Sequence, residues 1–184
     1  MLYTGKGDKG DTGLFGTKQR FRKSASRIDA LGSLDELNAF LGLAKVKVGN
    51  SGRLSFLFSD LKDIQEAIFI LQAEIAGADK SISKERLDKL ESKINEMEGK
   101  LHPINSFLIL GETEISALLD VCRTICRRVE RGTVEYIDEV KMNNGKMFSD
   151  LSLAYVNRLS TFFYASARLA NQIENKDEEA PSYL

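Results

Sequence analysis

Apolar side chains recur at alternating spacings of three and four residues over most of this chain, which is the pattern of an amphipathic α-helix. The most regular repeat predicts a helix over residues 54–75, with Gly77 at the position where a helix stop is expected. The repeat runs through Leu54, Leu57, Leu61, Ile64, Ile68, Leu71 and Ile75. This stretch is the clearest helix of the sequence.

The same spacing predicts four more helices. They cover residues 26–48, 83–101, 113–139 and 149–174 approximately, and Thr113 is a candidate N-cap. No segment shows sustained strand alternation, and no internal repeat of 20–50 residues is present. The pattern therefore predicts an all-α fold, an antiparallel five-helix bundle with a ferritin-like up-down arrangement, and one domain over residues 1–184.

Two of the predicted helices have a second face that is polar. In the first helix, Leu31, Leu34, Leu41, Ala44 and Val48 share one face, and Asp35, Asn38 and Gly42 share another. In the last helix, Val156, Leu159, Phe163 and Ala170 point inward, while Asn157, Ser160, Tyr164 and Arg168 line a different face.

The segments outside the helices differ in character. Residues 1–22 are rich in glycine, and TGKGDKGDTGLFG (4–16) is either a flexible tail or a loop whose N–H groups approach a ligand closely. The apolar connector 103–112 contains Phe107, which is either a core plug or a ligand wall. We expect a turn at 143–145 and a frayed tail at 176–184.

Composition excludes several classes of function. With 26 Lys and Arg against 27 Asp and Glu, the net charge of −1 predicts no general affinity for nucleic acid or an anionic membrane. The chain lacks a signal-like apolar run, which favours a cytoplasmic protein. Its single histidine, His102, cannot supply a di-iron site or a convincing catalytic base. Cys122 and Cys126 are expected to be reduced core residues.

The stretch VCRTICRRVERG (121–132) carries the strongest candidate chemistry. As a helix it has an apolar stripe formed by Ile115, Leu118, Cys122, Ile125 and Val129, and a polar ridge formed by Arg123, Arg127, Glu130 and Arg131. Three guanidiniums on one ridge repel each other unless negative charge lies among them. The ridge is therefore either a solvated basic face or a polyphosphate site.

The loop, Lys23 and the arginine ridge together form a set of phosphate-recognition residues. Such a set suits a reaction in which a polyphosphate is held or leaves and no general base is needed.

Four blocks in order along the chain resemble one family. TGKGDKGDTGLFG (4–16), GSLDELN (32–38), CRTICRRVERG (122–132) and YVNRLSTFFYASAR (155–168) are similar to the signature blocks of the propanediol-utilisation-type ATP:corrinoid adenosyltransferases. The blocks span nearly the whole chain, and their combination is specific although each block alone is weak.

This resemblance implies a function and a set of ligands. The family transfers the 5′-deoxyadenosyl group of ATP to the cobalt of cob(I)alamin and releases triphosphate. It implies ATP, Mg²⁺ and cobalamin as ligands, a homotrimer with sites between subunits, and a reductase and an adenosylcobalamin-dependent enzyme as partner proteins. Neither nucleic acid nor a membrane is implied.

The resemblance also assigns roles to individual residues. It implies that loop residues wrap the triphosphate, with lysine charge nearby: Thr4, Gly7, Asp8, Lys9, Gly10 and Thr12. Lys23 and Arg127 match phosphate-binding positions, and Arg123 matches a position paired with Asp35 across the subunit boundary.

Glu130 and Asn157 match positions that order the nucleotide. Phe107 matches an aromatic residue at the lower face of the corrin, where exclusion of the lower axial ligand gives a four-coordinate cobalt(II) that is easier to reduce.

The sequence departs from the family after Phe107, where Leu110-Gly111-Glu112 replaces a Pro-Gly-Gly turn. This departure supports an alternative function, a non-catalytic module that binds ATP or adenosylcobalamin and delivers it to a partner enzyme. A structural bundle without a ligand is the third hypothesis.

Overall fold

The computed structural model describes residues 3–14, 16–142 and 148–183, which form five long helices and a short β-hairpin. The elements are β1 (Asp11–Gly13), β2 (Arg20–Arg22), α1 (Ser26–Gly49), α2 (Leu57–Ile75), α3 (Lys84–Glu98), α4 (Glu114–Met142) and α5 (Asp150–Ile173). The turn expected at 143–145 lies outside the described residues.

The helix ends follow from local chemistry. The Ser83 side chain accepts a hydrogen bond from the Arg86 N–H and so caps α3. The predicted cap of α4 is confirmed, because the Ser116 N–H donates to Thr113 Oγ1 (3.0 Å) and the Thr113 N–H donates back to Ser116 Oγ (3.0 Å). Gly77 takes φ +100° just after α2, in the left-handed region where only glycine is unstrained.

Helices α1 and α4 run antiparallel, as an odd and an even helix of an up-down bundle must. Lys47 pairs with Glu114 at one end, and Ser26 donates a hydrogen bond to Glu139 at the other. Residue numbers therefore rise along α1 as they fall along the facing α4. The predicted up-down bundle is confirmed.

Helices α3 and α5 run parallel, as alternate helices of an up-down bundle must. The Ile82 N–H donates to Ser152 Oγ at one end, and Ser166 Oγ bonds Met97 Sδ towards the other. Helix α5 packs against both α3 and α4, while α1 packs against α2 and α4.

The core contains the apolar residues that the spacing predicted. All seven positions of the 54–75 repeat are buried, as are Cys122 and Cys126, whose thiols are free. Phe162 and Phe163 fill the centre of α5, with ring centroids 5.6 Å apart in an edge-to-face arrangement. Leu31 and Leu118 are half-buried at the margin of the core.

The structure differs from the sequence predictions in several places. Helix α2 begins at Leu57 rather than Leu54, and α3 ends at Glu98 rather than Leu101. Residues 11–22 contain an antiparallel hairpin that was not predicted, and α4 continues to Met142 rather than Glu139. Arg168 is buried, although the pattern placed it on a polar face. The tail was expected to fray, yet Glu178 pairs with Arg168 (2.9 Å) and holds it to the bundle.

No helix in the described ranges is both long enough and apolar enough to cross a membrane.

Candidate functional site

The arginine ridge lies on the outer side of α4. Ile125 and Val129 face the core, whereas Arg127 and Arg131 lie on the opposite side of the helix and are exposed. Arg131 Nη1 donates to the main-chain oxygen of Arg127 (3.1 Å). The Arg127 guanidinium itself has no hydrogen-bond or ion-pair partner among the described residues. Its charge is therefore available to a ligand or another chain.

Arg123 is half-buried and held by a residue that the sequence reading missed. Its Nε donates to Asp120 Oδ1 at 2.9 Å, one turn earlier on α4. Burial raises the pKa of the Asp120 carboxyl, and the hydrogen bond from Arg123 opposes that rise. The spacing of three residues between Asp120 and Arg123 places both side chains on one face of α4 and could have predicted this ion pair. Asp35 is exposed on α1, and its pairing with Arg123 across a subunit boundary stays a prediction.

Two of the predicted nucleotide-ordering residues are in direct contact. Asn157 Nδ2 on α5 donates to Glu130 Oε1 on α4 (2.7 Å). Asn157 Oδ1 accepts a hydrogen bond from Arg158 Nη1 (2.7 Å). The amide is thus fixed in orientation, and Glu130 lies one turn from Arg127 on the arginine ridge.

A fork-shaped ion pair fixes the hairpin. Arg20 donates through Nε and Nη2 to the two carboxylate oxygens of Asp11 (2.9 and 2.7 Å), and Nη2 also donates to the Lys6 carbonyl (2.8 Å). The hydrogen bond from Arg20 lowers the pKa of Asp11. Thr12 lies in β1 opposite Phe21, and Lys9 is exposed beside the turn.

Glycine is required at two points in this loop. Gly10 takes φ +81°, a left-handed conformation. A Cβ on Gly7 would lie 3.1 Å from the Asp11 carbonyl and 3.5 Å from Lys23 Nζ. Lys23 also donates its N–H to the Gly10 carbonyl (3.0 Å). The structure therefore brings Lys23 to the glycine loop, as the phosphate-site prediction requires.

The remaining loop positions are also close together. The Thr4 hydroxyl accepts a weak hydrogen bond from the Lys6 N–H (3.4 Å), and the Asp8 N–H donates to the Gly5 carbonyl (3.3 Å).

The N-terminal segment is locally basic. Residues 3–23 contain six Lys or Arg and two Asp, in a chain of net charge −1. This concentration of positive charge suits a local anion site.

An arginine attaches the hairpin to the bundle. The Arg27 guanidinium lies between the rings of Phe21 and Tyr136, 5.1 and 5.2 Å from their centroids. Arg27 Nη2 also donates to the Tyr136 hydroxyl (3.0 Å). No sequence pattern linked β2, α1 and α4 in this way, so this contact was missed.

Phe107 is 79% exposed, so it is not a core plug. It lies on the connector between α3 and α4, which the tail holds because the Ile109 N–H donates to the Glu179 carbonyl (2.8 Å). Gly111 takes φ +94°, so a single glycine supplies a left-handed conformation at the place where the Pro-Gly-Gly turn would have two glycines. The exposed ring suits contact with a flat ligand.

The candidate residues form two separate groups. The hairpin group lies near the end of α4, beside Tyr136 and Glu139, whereas Arg123, Arg127 and Glu130 lie around its middle. No hydrogen bond or ion pair joins the two groups within the described part of the chain. Over the same residues, there is no cluster of three or more His, Cys, Asp or Glu that could hold a metal.

An up-down helical bundle with an arginine ridge and a basic glycine-rich loop defines an all-α protein with a candidate polyphosphate site. The family model for cobalamin adenosyltransferase matches residues 2–170. This chain therefore belongs to the cobalamin adenosyltransferase family.

Individual relatives agree with this assignment. The chain is 33% identical to a corrinoid adenosyltransferase of Bacillus subtilis over 174 residues, covering 92% of this chain and 86% of that protein. It is 35% identical to the corrinoid adenosyltransferase PduO of Salmonella typhimurium, covering 91% of this chain. The chain spans 48% of that longer relative.

Solved structures with the same fold are also known. A variant of the PduO-type ATP:corrinoid adenosyltransferase from Lactobacillus reuteri, complexed with cobalamin and ATP, superposes with a TM-score of 0.87 at 29% identity. It covers 100% of this chain and 97% of its own. Another variant, complexed with ATP, has a TM-score of 0.85 at 29% identity over 98% and 99% of the two chains.

Proposed function

We propose that this protein transfers the 5′-deoxyadenosyl group of ATP to the cobalt of cob(I)alamin and releases triphosphate. A cobalt–carbon bond forms as the bond between C5′ and the triphosphate oxygen breaks, and cobalt(I) supplies both electrons. Membership of the cobalamin adenosyltransferase family supports this proposal. So does the similarity to structures that bind both ATP and cobalamin.

In this reaction the protein has to position the reactants and neutralise charge, and it does not have to supply a base. Cobalt(I) is already a strong nucleophile, so no side chain has to remove a proton. Arg127 and Lys23 would neutralise charge that develops on the leaving triphosphate, and the loop N–H groups would hold its oxygens. The Glu130–Asn157 pair would orient the nucleoside.

The unpartnered guanidinium of Arg127 is the observation that carries this proposal. Asp120 neutralises Arg123 and Glu36 neutralises Arg128, but no carboxylate in the described chain pairs with Arg127. Arg131, the next arginine of the ridge, also has no carboxylate partner in the described chain and donates only to the Arg127 main-chain oxygen. Two exposed guanidiniums without a carboxylate are suited to a phosphate.

We place Mg²⁺ on the phosphates of ATP. Mg²⁺ is usually bound by substrate phosphates with one or two carboxylates and several waters, rather than by a protein cage. The carboxylate of Asp8, in the glycine-rich loop, is a candidate for such a ligand.

We also propose a homotrimer in which one subunit's hairpin completes a site on its neighbour's arginine ridge. The separation of the two groups along α4 supports this arrangement. Sedimentation equilibrium measures the assembly state, and a mass of three chains is expected.

The test of function is an anaerobic assay with chemically reduced cob(I)alamin and MgATP. We expect equal amounts of adenosylcobalamin, followed by its visible spectrum, and of triphosphate. Arg127→Ala should lower kcat/KM by about a hundredfold or more, as loss of a charge-stabilising group does. Lys84→Ala is the control, because it removes the same charge from an exposed pair with Asp88 on α3.

Two results would overturn the proposal. MgATP binding without a cobalt–carbon bond would favour the delivery module. Equal activity of Arg127→Ala and Lys84→Ala would show that the arginine ridge is not part of the site.

A further inference from the structure

A cleft unrelated to the arginine ridge lies between α2, α3 and α5. Its volume is about 280 Å³. Ile64, Leu90 and Phe162 contribute its apolar surface, and charged side chains of α2 and α3 form the two walls. Helix α4 and the hairpin contribute no residue to it. The cleft is therefore separate from the proposed adenosyl-transfer site.

Tyr155 is a polar residue of this cleft that lacks a partner. It lines the cleft and is only 3% exposed, and its hydroxyl makes no hydrogen bond with the described residues. The enclosed side-chain atoms without a partner in the described chain belong to Asn38, Thr133 and Asn171, so the Tyr155 hydroxyl opens into the cleft instead and can donate to a ligand there. Burial raises the pKa of the phenol, which therefore stays protonated and able to donate.

Opposite charges line the cleft together with the phenol. Arg86 on α3 lowers the pKa of Tyr155 and Asp63 on α2 raises it. Arg86 is the least committed cation of the cleft, because its one acidic neighbour, Glu66, is 4.0 Å away. Arg86 and Tyr155 together offer hydrogen-bond donors to one oxyanion.

The rest of the lining is charge-balanced. Lys89 pairs with Asp63, and Lys93 lies 3.5 Å from Asp60. The three cations of the lining are matched by three carboxylates: Asp60, Asp63 and Glu85. A simple anion gains nothing from a neutral lining, and a simple cation leaves Arg86 and Tyr155 without an acceptor.

We propose that this cleft binds a small zwitterion with an apolar body, of the class of apolar α-amino acids. The ligand carboxylate accepts from Arg86 and Tyr155. Its ammonium donates to Asp63. The ion-pair partner of Asp63 is Lys89, which follows Arg86 by three residues on α3, a rise of about 4.5 Å. Its side chain lies on the apolar surface.

Size supports the same class of ligand. Pockets for drug-sized ligands usually occupy about 300–1,000 Å³, so a cleft of about 280 Å³ suits a molecule of amino-acid size. It is small for a second nucleotide.

The first experiment titrates the full-length protein with L-phenylalanine and follows backbone amides by ¹H–¹⁵N NMR. We expect saturable shifts at residues of α2, α3 and α5 around the cleft. 3-Phenylpropionate lacks the ammonium and phenethylamine lacks the carboxylate, so each should bind about tenfold more weakly or worse. Equal binding of 3-phenylpropionate would overturn the zwitterion assignment.

Variants test the named contacts. Tyr155→Phe removes only the hydroxyl, and Arg86→Met removes only the charge and donors. Each should raise the dissociation constant of L-phenylalanine about tenfold or more. Tyr164→Phe is the matched control on the same helix, outside the cleft, and should bind as the parent protein does.

Thermal unfolding of each variant shows whether the fold is retained. Absence of shifts with L-phenylalanine up to about 20 mM, or equal affinities in folded Tyr155→Phe and the parent, would overturn the proposal.

Discussion

The environments of individual phenylalanines show what residue-level patterns can predict. Phe163 falls on the apolar repeat of α5 and is fully buried. Phe107 lies in an equally apolar stretch but is 79% exposed, and the sequence alone left both a core and a ligand role open. Hydrophobicity predicts burial only where a helical period gives direction. A connector has no such period.

Replacing Phe107 with alanine should affect chemistry and leave the fold intact. Because the ring is exposed, the free energy of unfolding should change by less than about 0.5 kcal/mol. MgATP binding should be unchanged, while adenosylation should slow when cobalt(II) must be reduced in the site. Phe163→Ala, by contrast, should cost about 3–5 kcal/mol. Unchanged rates from cobalt(II) would contradict a lower-face role for Phe107.

The two cysteines should be unreactive in the folded protein. Burial raises the pKa of Cys122 from 9.0 to about 12, and burial also raises the pKa of Cys126. At pH 8 the reactive thiolate of Cys122 is therefore about a thousandfold rarer than that of an ordinary thiol. A chromogenic disulfide reagent should detect no fast thiol in the native protein.

The stability of the folded protein should fall at alkaline pH because of these thiols. Since the folded pKa is raised, the stability contributed by the protonated thiols is present below pH 9.0 and is lost as pH rises above it. The reagent should count two thiols in denaturant. Fast modification of the native protein at pH 8 would contradict the buried position.

At the scale of elements, the helices were predictable and the hairpin was not. Each helix carries several turns of apolar repeat, and α2, α3 and α4 also have a recognisable end at Gly77, Ser83 and Thr113. Strands β1 and β2 contain only three residues each, too few for alternation to be seen. The Asp11–Arg20 ion pair and the Arg27 contact accompany their pairing, and no sequence spacing reveals either contact.

The Arg27 contact should control nucleotide affinity more than stability. Arg27→Lys keeps the charge but loses the planar group between Phe21 and Tyr136 and the bond to the Tyr136 hydroxyl. We expect the KM for ATP to rise about tenfold with a small change in kcat, because the loop is held less firmly.

Tyr136→Phe separates the two contributions, since it removes the hydrogen bond and keeps the ring. It should have a smaller effect on KM than Arg27→Lys. An unchanged KM in Arg27→Lys would show that the hairpin is positioned by other contacts.

At the scale of the whole molecule, the sequence predicted the topology of the bundle but did not predict that the tail is attached to it. Five helices with short connections predicted an up-down bundle. The polar composition of residues 176–184 predicted fraying, whereas Glu178 pairs with the buried Arg168. Composition describes average solubility, and a single specific ion pair can override it.

A double-mutant cycle on Arg123→Ala and Asp35→Ala tests the predicted subunit boundary. If the two residues pair between chains, their losses in kcat/KM should be non-additive by about 0.5–3 kcal/mol. Within one chain, Arg123 pairs with Asp120, so a cycle with Asp120→Ala should be non-additive in any assembly. Additive losses for Arg123 and Asp35 would count against the boundary pair.

Attachment of the hairpin and the tail to opposite ends of α4 has a practical consequence for labelling. Phe21 lies beside Tyr136 through Arg27, and the tail shares a small cavity with Asp120. The two attachment points, Tyr136 and Asp120, are separated along α4 by a rise of about 24 Å. Dyes attached to the hairpin and to the tail would therefore report the two attachments separately.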